Sequence, residues 1–525
     1  MKPAALPMQT RIGNIVGPVT GLALLLALAA CGGSSPYAAE EDLRNKAVLI
    51  VPQEATVAPG GTFAFVAMGM AQGTMVDITK NVDWSATGGS INQGGVYTAG
   101  GQTGDFTVKA RRKNHSSTAR VSIRTSATAT PPDDDPPGDD PPPDSGPGDT
   151  PDTQGVRVTL GESIQAVVEK SPVGTTFILA SGRHVKQSVR PKDGMTFVGE
   201  AGAVMDGGGS VQYAFDGRRG QSNVTIRNLV IENYAPAPQD GAVMGKGSLG
   251  WTVEDNEIRY NTGNVQHQGC ARSAGCGGMG IKIGDRMVVR NNYLHHNDQY
   301  GVGGDGNDVL IQGNEISFNN YREAVRIGFG SGGTKFVGTR NLVVRDNYVH
   351  DNHGNGIWTD IKNSNVLVEG NRVFANYQQG IFHEISYSAV IRNNVVRGNG
   401  FGDRSDWAYG AGILVAHSSN VEVYGNTVED NWNGIMGIQQ DRGEYHLENL
   451  WVHDNTVKMG RGGSGVAGSG GNNDPFASSS NNRFDRNGYV VPSSMNQPFR
   501  WKGSTTWSGW RAAGQDARGT LTNGV

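Results

Sequence analysis

Cysteine is all but missing from this chain, with three in 525 residues, which excludes a disulfide-dense scaffold and any multi-cysteine zinc module. Aromatic residues are sparse at 7%, and charged residues make up only 18%. A surplus of one sign is lacking too. The formal net charge is -4, and the eight aspartates of the segment 131–152 outweigh all of it, so the remainder stands at about +4. That balance exerts no pull towards nucleic acid or acidic lipid. Neither a leucine-rich pattern nor an extended helical periodicity is present, and the apolar run at 19–30 is too short for a membrane span. What abounds is glycine, 78 residues without the every-third-residue period of collagen. The absences leave a turn-rich β protein, long enough for two or three domains.

What is there is a repeat. Two asparagines five residues apart recur as Asn228/Asn233, Asn256/Asn261, Asn292/Asn297, Asn314/Asn319, Asn347/Asn352, Asn371/Asn376, Asn394/Asn399 and Asn426/Asn431, each pair preceded by alternating apolar residues. A degenerate unit follows at LWVHDNTVKMG. Intervals of 22, 24 and 23 residues match one turn of a right-handed parallel β-helix, and intervals of 36, 33 and 32 mark turns with insertions. Asparagine suits a sharp corner because it tolerates left-handed backbone, and its amide can bond the same amide one coil away.

Lys2 and Arg11, the apolar run and then Leu28-Ala29-Ala30-Cys31 resemble a bacterial lipoprotein signal. The resemblance implies lipidation of Cys31 and a cell-envelope address at the outer membrane, with the lipid as the sole membrane contact. Cys270 and Cys276 lie close together in a glycine-rich stretch, where export favours a local disulfide. The stretch VDWSATGGSINQGGVYTAGGQTGDFTVKA resembles bacterial Ig-like domains, which implies a small β-sandwich with Trp84 in its core. The run GESIQAVVEKSPVGTTFILASGRH reads as a short amphipathic helix and a strand and resembles the N-terminal cap of pectate-lyase-like β-helices. The expected order is a signal at 1–30, a tether at 31–45, the Ig-like module at 46–125, a Pro/Asp-rich solvated linker at 126–152, the parallel β-helix at 153–480 and a C-terminal cap at 481–525. The fold class is all-β, and a capped monomer is the default.

Chemistry is expected on one sheet. After the second asparagine most repeats open a strand, and the two-residue period places Ile281, Val302, Val325, Ile357, Ile381, Ile413 and Ile435 inward. The outward column then reads Lys282, Gly303, Arg326, Trp358, Phe382, Leu414 and Met436, with Asp305, Asp360 and Glu384 two residues further on. Mixed charges and two aromatics, Trp358 and Phe382, suit a sugar polymer lying along the solenoid. Insertions at 263–278, 329–340 and 400–410 would wall such a groove. Elimination from a uronate polymer needs the substrate carboxylate neutralised and a base. Asp360 and Glu384, with Asp305, could hold Ca²⁺, while Lys282, Lys362, His383 or Arg326 would move the proton or stabilise charge. The segments REAVRIG and NGIWTDIKNS resemble the calcium-dependent alginate lyases and chondroitinases of β-helix type, which implies Glu323 as a calcium ligand and Lys362 as base. Hydrolysis by two carboxyl groups, epimerisation, and glycan binding or a structural role without turnover are the alternatives.

Overall fold

The computed structural model describes residues 48–51, 54–57, 59–71, 74–113, 115–123, 155–263, 277–402, 407–469 and 473–524. The expected signal, tether and linker, and with them Cys31, Cys270 and Cys276, lie outside these residues. The chain forms two units, 1–138 and 139–525.

Among the described residues, the first unit holds three small sheets. The largest orders Glu54–Val57, His115–Ile123, Gly104–Arg112 and Asp83–Ala86, antiparallel except where Glu54–Val57 joins. Alternation along the strands buries Val108, Ala110, Val121 and Ile123 around Tyr97 and Phe65. Trp84 sits at the margin of this core, half-buried, its indole N–H donating to the Thr79 carbonyl at 2.9 Å.

The second unit is a right-handed parallel β-helix. Among the described residues, its first sheet has 13 strands, from Val156–Val158 to Arg483–Asp485, and its second has 13, from Gly182–Val185 to Thr520–Gly524. The third has 12, from Phe215–Asp216 to Phe499–Trp501 with Ser504–Thr505 folded back on it. Each strand pairs with the one a coil later, so inward Val, Ile and Leu stack into one continuous core. The helix Ile164–Lys170 is capped by the Ser163 side chain and buries Ile164 and Val168 at one end. At the other end the ladder continues past 480 through Gly488–Pro492, and the helix Trp507–Ala512 packs Trp510 on Phe499 at 5.2 Å.

The corners are held by amides. Asn256, Asn292, Asn314, Asn347, Asn371, Asn394, Asn426, Asn455 and Asn487 form a buried column in which each Nδ2 donates to the next Oδ1 at 2.9–3.1 Å. The column ends on Asp516, which accepts from Asn487, Tyr489 and Trp510. A second column runs Asn261, Asn297, Asn319, Asn352, Asn376, Asn399, Asn431. Two sequence expectations change here. The left-handed residue is the one before each ladder asparagine, as at Asp255, Asn291, Asp346 and Asn393. The first pair, Asn228 and Asn233, occupies those left-handed positions, and the backbone N–H groups of Leu229 and Tyr234 bond into the columns instead. A shorter column of Thr339, Asn363, Ser386 and Ser418 secures the corner after the third sheet.

Candidate active site

The third sheet departs from the expected register at one rung. Val302 pairs with Thr334 and Gly303 with Lys335, so the rung is Thr334–Val337 and not the segment around Val325. The reason lies one residue before each strand. Gly280, Gly301, Gly333, Gly356, Gly380 and Gly412 stack where an added Cβ would fall within 2.6–2.7 Å of the next coil. Gly333 fits that column, whereas the expected rung offers Ala324. Residues 320–332 therefore leave the sheet. Arg326 is the exposed N-cap of a short helix, Ile327–Gly330, and Glu323 is exposed with φ of 52°.

Lys335 takes the place expected for Arg326. Its Nζ lies 2.8 Å from Asp360 Oδ2 and 3.5 Å from the centre of the Trp358 ring. Trp358 pairs with Phe382 on the next rung and Asp360 with Glu384, so the two carboxyl groups stand one rung apart, about 4.8 Å along the sheet. Their side chains are only 8% and 11% exposed. Burial, then the nearby Asp360 charge, push Glu384 up to about 7, against the pull of Arg442, 3.7 Å away, and of Lys335. The second oxygen of Asp360 is buried without a hydrogen-bond partner. The Trp358 indole N–H makes no hydrogen bond of ordinary geometry, yet it lies close enough to Glu384 to steady the charged form.

Other expected site residues fall elsewhere. Lys282 is on the sheet, donating to the Gln239 carbonyl at 2.9 Å, and burial lowers its pKa against the opposing pull of Asp240 and Asp305. Asp305 stands two rungs from Asp360, as expected, but is bound by Lys246 at 2.8 Å. His383 points into the solenoid, bonded to Thr359 Oγ1 and the Tyr387 carbonyl at 2.8 Å each, and burial lowers it to about 4. It is a core residue and cannot reach a ligand on the outer face. Lys362 is exposed at the corner after the sheet.

Trp358 and Phe382 stack at 5.5 Å, yet each is only 4% exposed. They begin an apolar cluster with Leu414, Ala416, Met436 and Ile438, on which Ala408, Trp407 and Tyr409 are packed. The expected open aromatic platform is thus a second core outside the sheet, because an apolar column this long is unstable bare. Of the expected insertions, the one at 329–340 contains the strand itself, and 264–276 lies outside the described residues. Glu323, Asp305, Asp360 and Glu384 do not gather, and among the described residues no three His, Cys, Asp or Glu side chains are placed to hold a metal. The two that adjoin already face Lys335 and Arg442, so the set does not fit Ca²⁺.

Sequence reasoning missed Lys335 and Arg442. The glycine column was the signal for Lys335. Arg442 arrives from a loop after the strand Asn433–Gln440, and no pattern in the repeat announces it. Tyr300 was missed as well. It is buried next to this site, its hydroxyl lying where a Cβ on Gly330 (φ 147°) would fall, and burial and Asp360 hold it well above the usual phenol range.

The family described as "Right handed beta helix region" matches residues 271–410. Among solved structures, the chain is similar to the A-module of mannuronan C-5 epimerase AlgE6 from Azotobacter vinelandii, at 17% identity over 68% of this chain and 93% of that one, with a TM-score of 0.44. It is similar to the PL6 family polysaccharide lyase Pedsa3628 from Pseudopedobacter saltans, at 13% identity over 70% and 91%, TM-score 0.43. A third is the catalytic unit of a GH87 alpha-1,3-glucanase from Streptomyces thermodiastaticus, at 13% identity over 89% and 79%, TM-score 0.43. No curated protein matches the sequence.

Proposed function

We propose that this chain is an exported, lipid-anchored enzyme that cleaves a polysaccharide, with Glu384 as its acid and base and Asp360 as its nucleophile. One observation carries the reading: two buried carboxyl groups on adjacent rungs, one neutral up to about pH 7, the other ion-paired and holding an oxygen free of any partner. A carboxyl group held neutral by burial beside a second one that is ion-paired can act as the acid to its neighbour. Places on neighbouring rungs, about 4.8 Å apart, put the pair nearer the close spacing of double displacement than the wider one of inversion. Glu384 gives its proton to the glycosidic oxygen as the bond to the anomeric carbon breaks, and the free oxygen of Asp360 bonds to that carbon. Water, deprotonated by Glu384, then releases the sugar with retained configuration. Lys335 holds the other Asp360 oxygen and fixes the carboxylate's orientation.

A second reading, elimination from a uronate polymer, has one observation in its favour. Lys282, whose pKa burial lowers, and Lys335 flank the bare Gly303 on consecutive rungs, two amines that could neutralise a carboxylate and take a proton. The residues do not fit calcium, so neither route passes through it.

The test is product analysis of the full chain on a panel of neutral and uronate polysaccharides, with and without chelator. New reducing ends without an unsaturated-uronate absorbance, unchanged by chelator and lowered about 100-fold or more in Glu384→Gln and Asp360→Asn, are expected. An absorbing product lost in Lys282→Ala would give the second reading its place. Binding without product across the panel would leave a glycan-binding solenoid.

A further inference from the structure

At the corner after the third sheet, Lys362, Ile385 and His417 hold left-handed backbone on successive coils, with φ of 61°, 46° and 49°. Beside them is a cleft lined by Ser386, Tyr387, His417, Ser419, Glu444 and Tyr445. His417 is fully buried, yet neither ring nitrogen has a hydrogen-bond partner. His446, half-buried on the same cleft, has an unpartnered Nδ1. Buried polar groups are satisfied in native folds almost without exception, so two such imidazoles on one cleft point to a bound group that completes them.

The lining specifies what that group is. Burial and the Arg442 charge keep His417 neutral, and a neutral imidazole offers one donor and one acceptor, the pairing a hydroxyl group meets with a single atom. Tyr387, 39% exposed, and Tyr445, 6.1 Å away, offer ring faces for the C–H side of a pyranose. Glu444 and Glu448 accept from hydroxyl groups and repel an anion. A metal is disfavoured, since no three ligating side chains converge among the described residues. Arg442, within 3.7 Å of Glu384 and close enough to oppose charge on His417, joins the cleft to the carboxyl pair.

We propose that this cleft is a subsite for a neutral hexosyl unit of the polysaccharide, next to the unit held at Glu384 and Asp360. The inference rests on the reading of those carboxyls as the catalytic pair. It gives a neutral unit the advantage over a uronate where Glu444 and Glu448 line the cleft, with Arg442 and Lys362 the opposing cations, and it makes Tyr387 and His417 determinants of specificity.

Calorimetric titration of the full chain carrying Glu384→Gln, which stops turnover, decides it. The probes are gluco-, galacto- and manno-oligosaccharides beside oligomers of mannuronate and galacturonate. A neutral oligosaccharide is expected to bind, and to bind about tenfold or more weakly when Tyr387→Ala or His417→Asn is added. The exposed Tyr387 can be removed without disturbing the core, so the result stands even where the His417 variant does not fold. Binding of uronates alone, binding of no saccharide, or neutral binding indifferent to Tyr387→Ala overturns the subsite. If the wild-type chain turns over polysaccharide while Tyr387→Ala leaves affinity unchanged, the subsite falls and the carboxyl pair stands. Weakened binding in Tyr387→Ala together with no turnover by the wild-type chain removes the catalytic pair and keeps the subsite.

Discussion

Glu384 ties function to stability through one proton. Its folded pKa of about 7 lies above the ordinary 4.5, so the fold favours the neutral form. The stability this contributes is fully present below about pH 4.5 and is lost as pH rises through about 7. His383 runs the other way: buried and neutral, with its pKa lowered to about 4 from 6.5, it contributes above 6.5 and loses that contribution as pH falls through 4. Above pH 6.5, where the His383 contribution is already complete, Glu384→Gln should therefore keep its melting temperature as pH rises to 8 while the parent loses stability, and this is checked by thermal unfolding across that range. In the parent, the rate of glycosidic cleavage should fall above about pH 7 as the acid loses its proton. A parent whose stability is as flat as that of Glu384→Gln would mean that Glu384 ionises normally and is no acid.

At the scale of the coil, the inner amide columns carry what the outer asparagines do not. Asn371 accepts from the backbone and side-chain nitrogens of Asn347, and its Nδ2 donates to Asn394 and to the Val344 carbonyl. Asn371→Leu strands these buried groups and should cost about 2–3 kcal/mol. Asn365, which bonds Asn341 in an exposed row with φ of 54°, should tolerate glycine within about 0.5 kcal/mol. Denaturant unfolding of the two variants gives the comparison, and equal losses would mean the columns are incidental. The period and spacing of these asparagines made the solenoid legible in the sequence, because corner geometry is local. The same information placed Asp360 beside Glu384. It failed at Arg326 because Val325 satisfies the apolar alternation as well as Thr334 does, and only the clearance demanded at Gly333 separates them. Burial of Trp358 and Phe382 was not legible, since their cover comes from the loop around Trp407, and alternation says which way a side chain points but not what lies over it. Nor was the cleft at His417, assembled from Tyr387 on one coil and a loop more than fifty residues later.

For the whole molecule, the acidic, proline-rich stretch at 126–152 separates two units that each hold their own core. Under the proposed lipid anchoring, this stretch would act as a spacer that lets the second unit meet an insoluble or surface polymer. Labelled palmitate should enter the exported chain and be lost in Cys31→Ser, and labelling retained in that variant would sink the anchor. The column of asparagines has a further consequence at this scale. A stack of groups that each give and take one bond has no intrinsic length, and nothing within it says where to stop. At Asp516 the side chain only takes, and its remaining oxygen is claimed by Tyr489 and Trp510. An acid in place of an amide therefore works as a terminator of the bonding column: it takes the bond that Asn487 gives and passes none on.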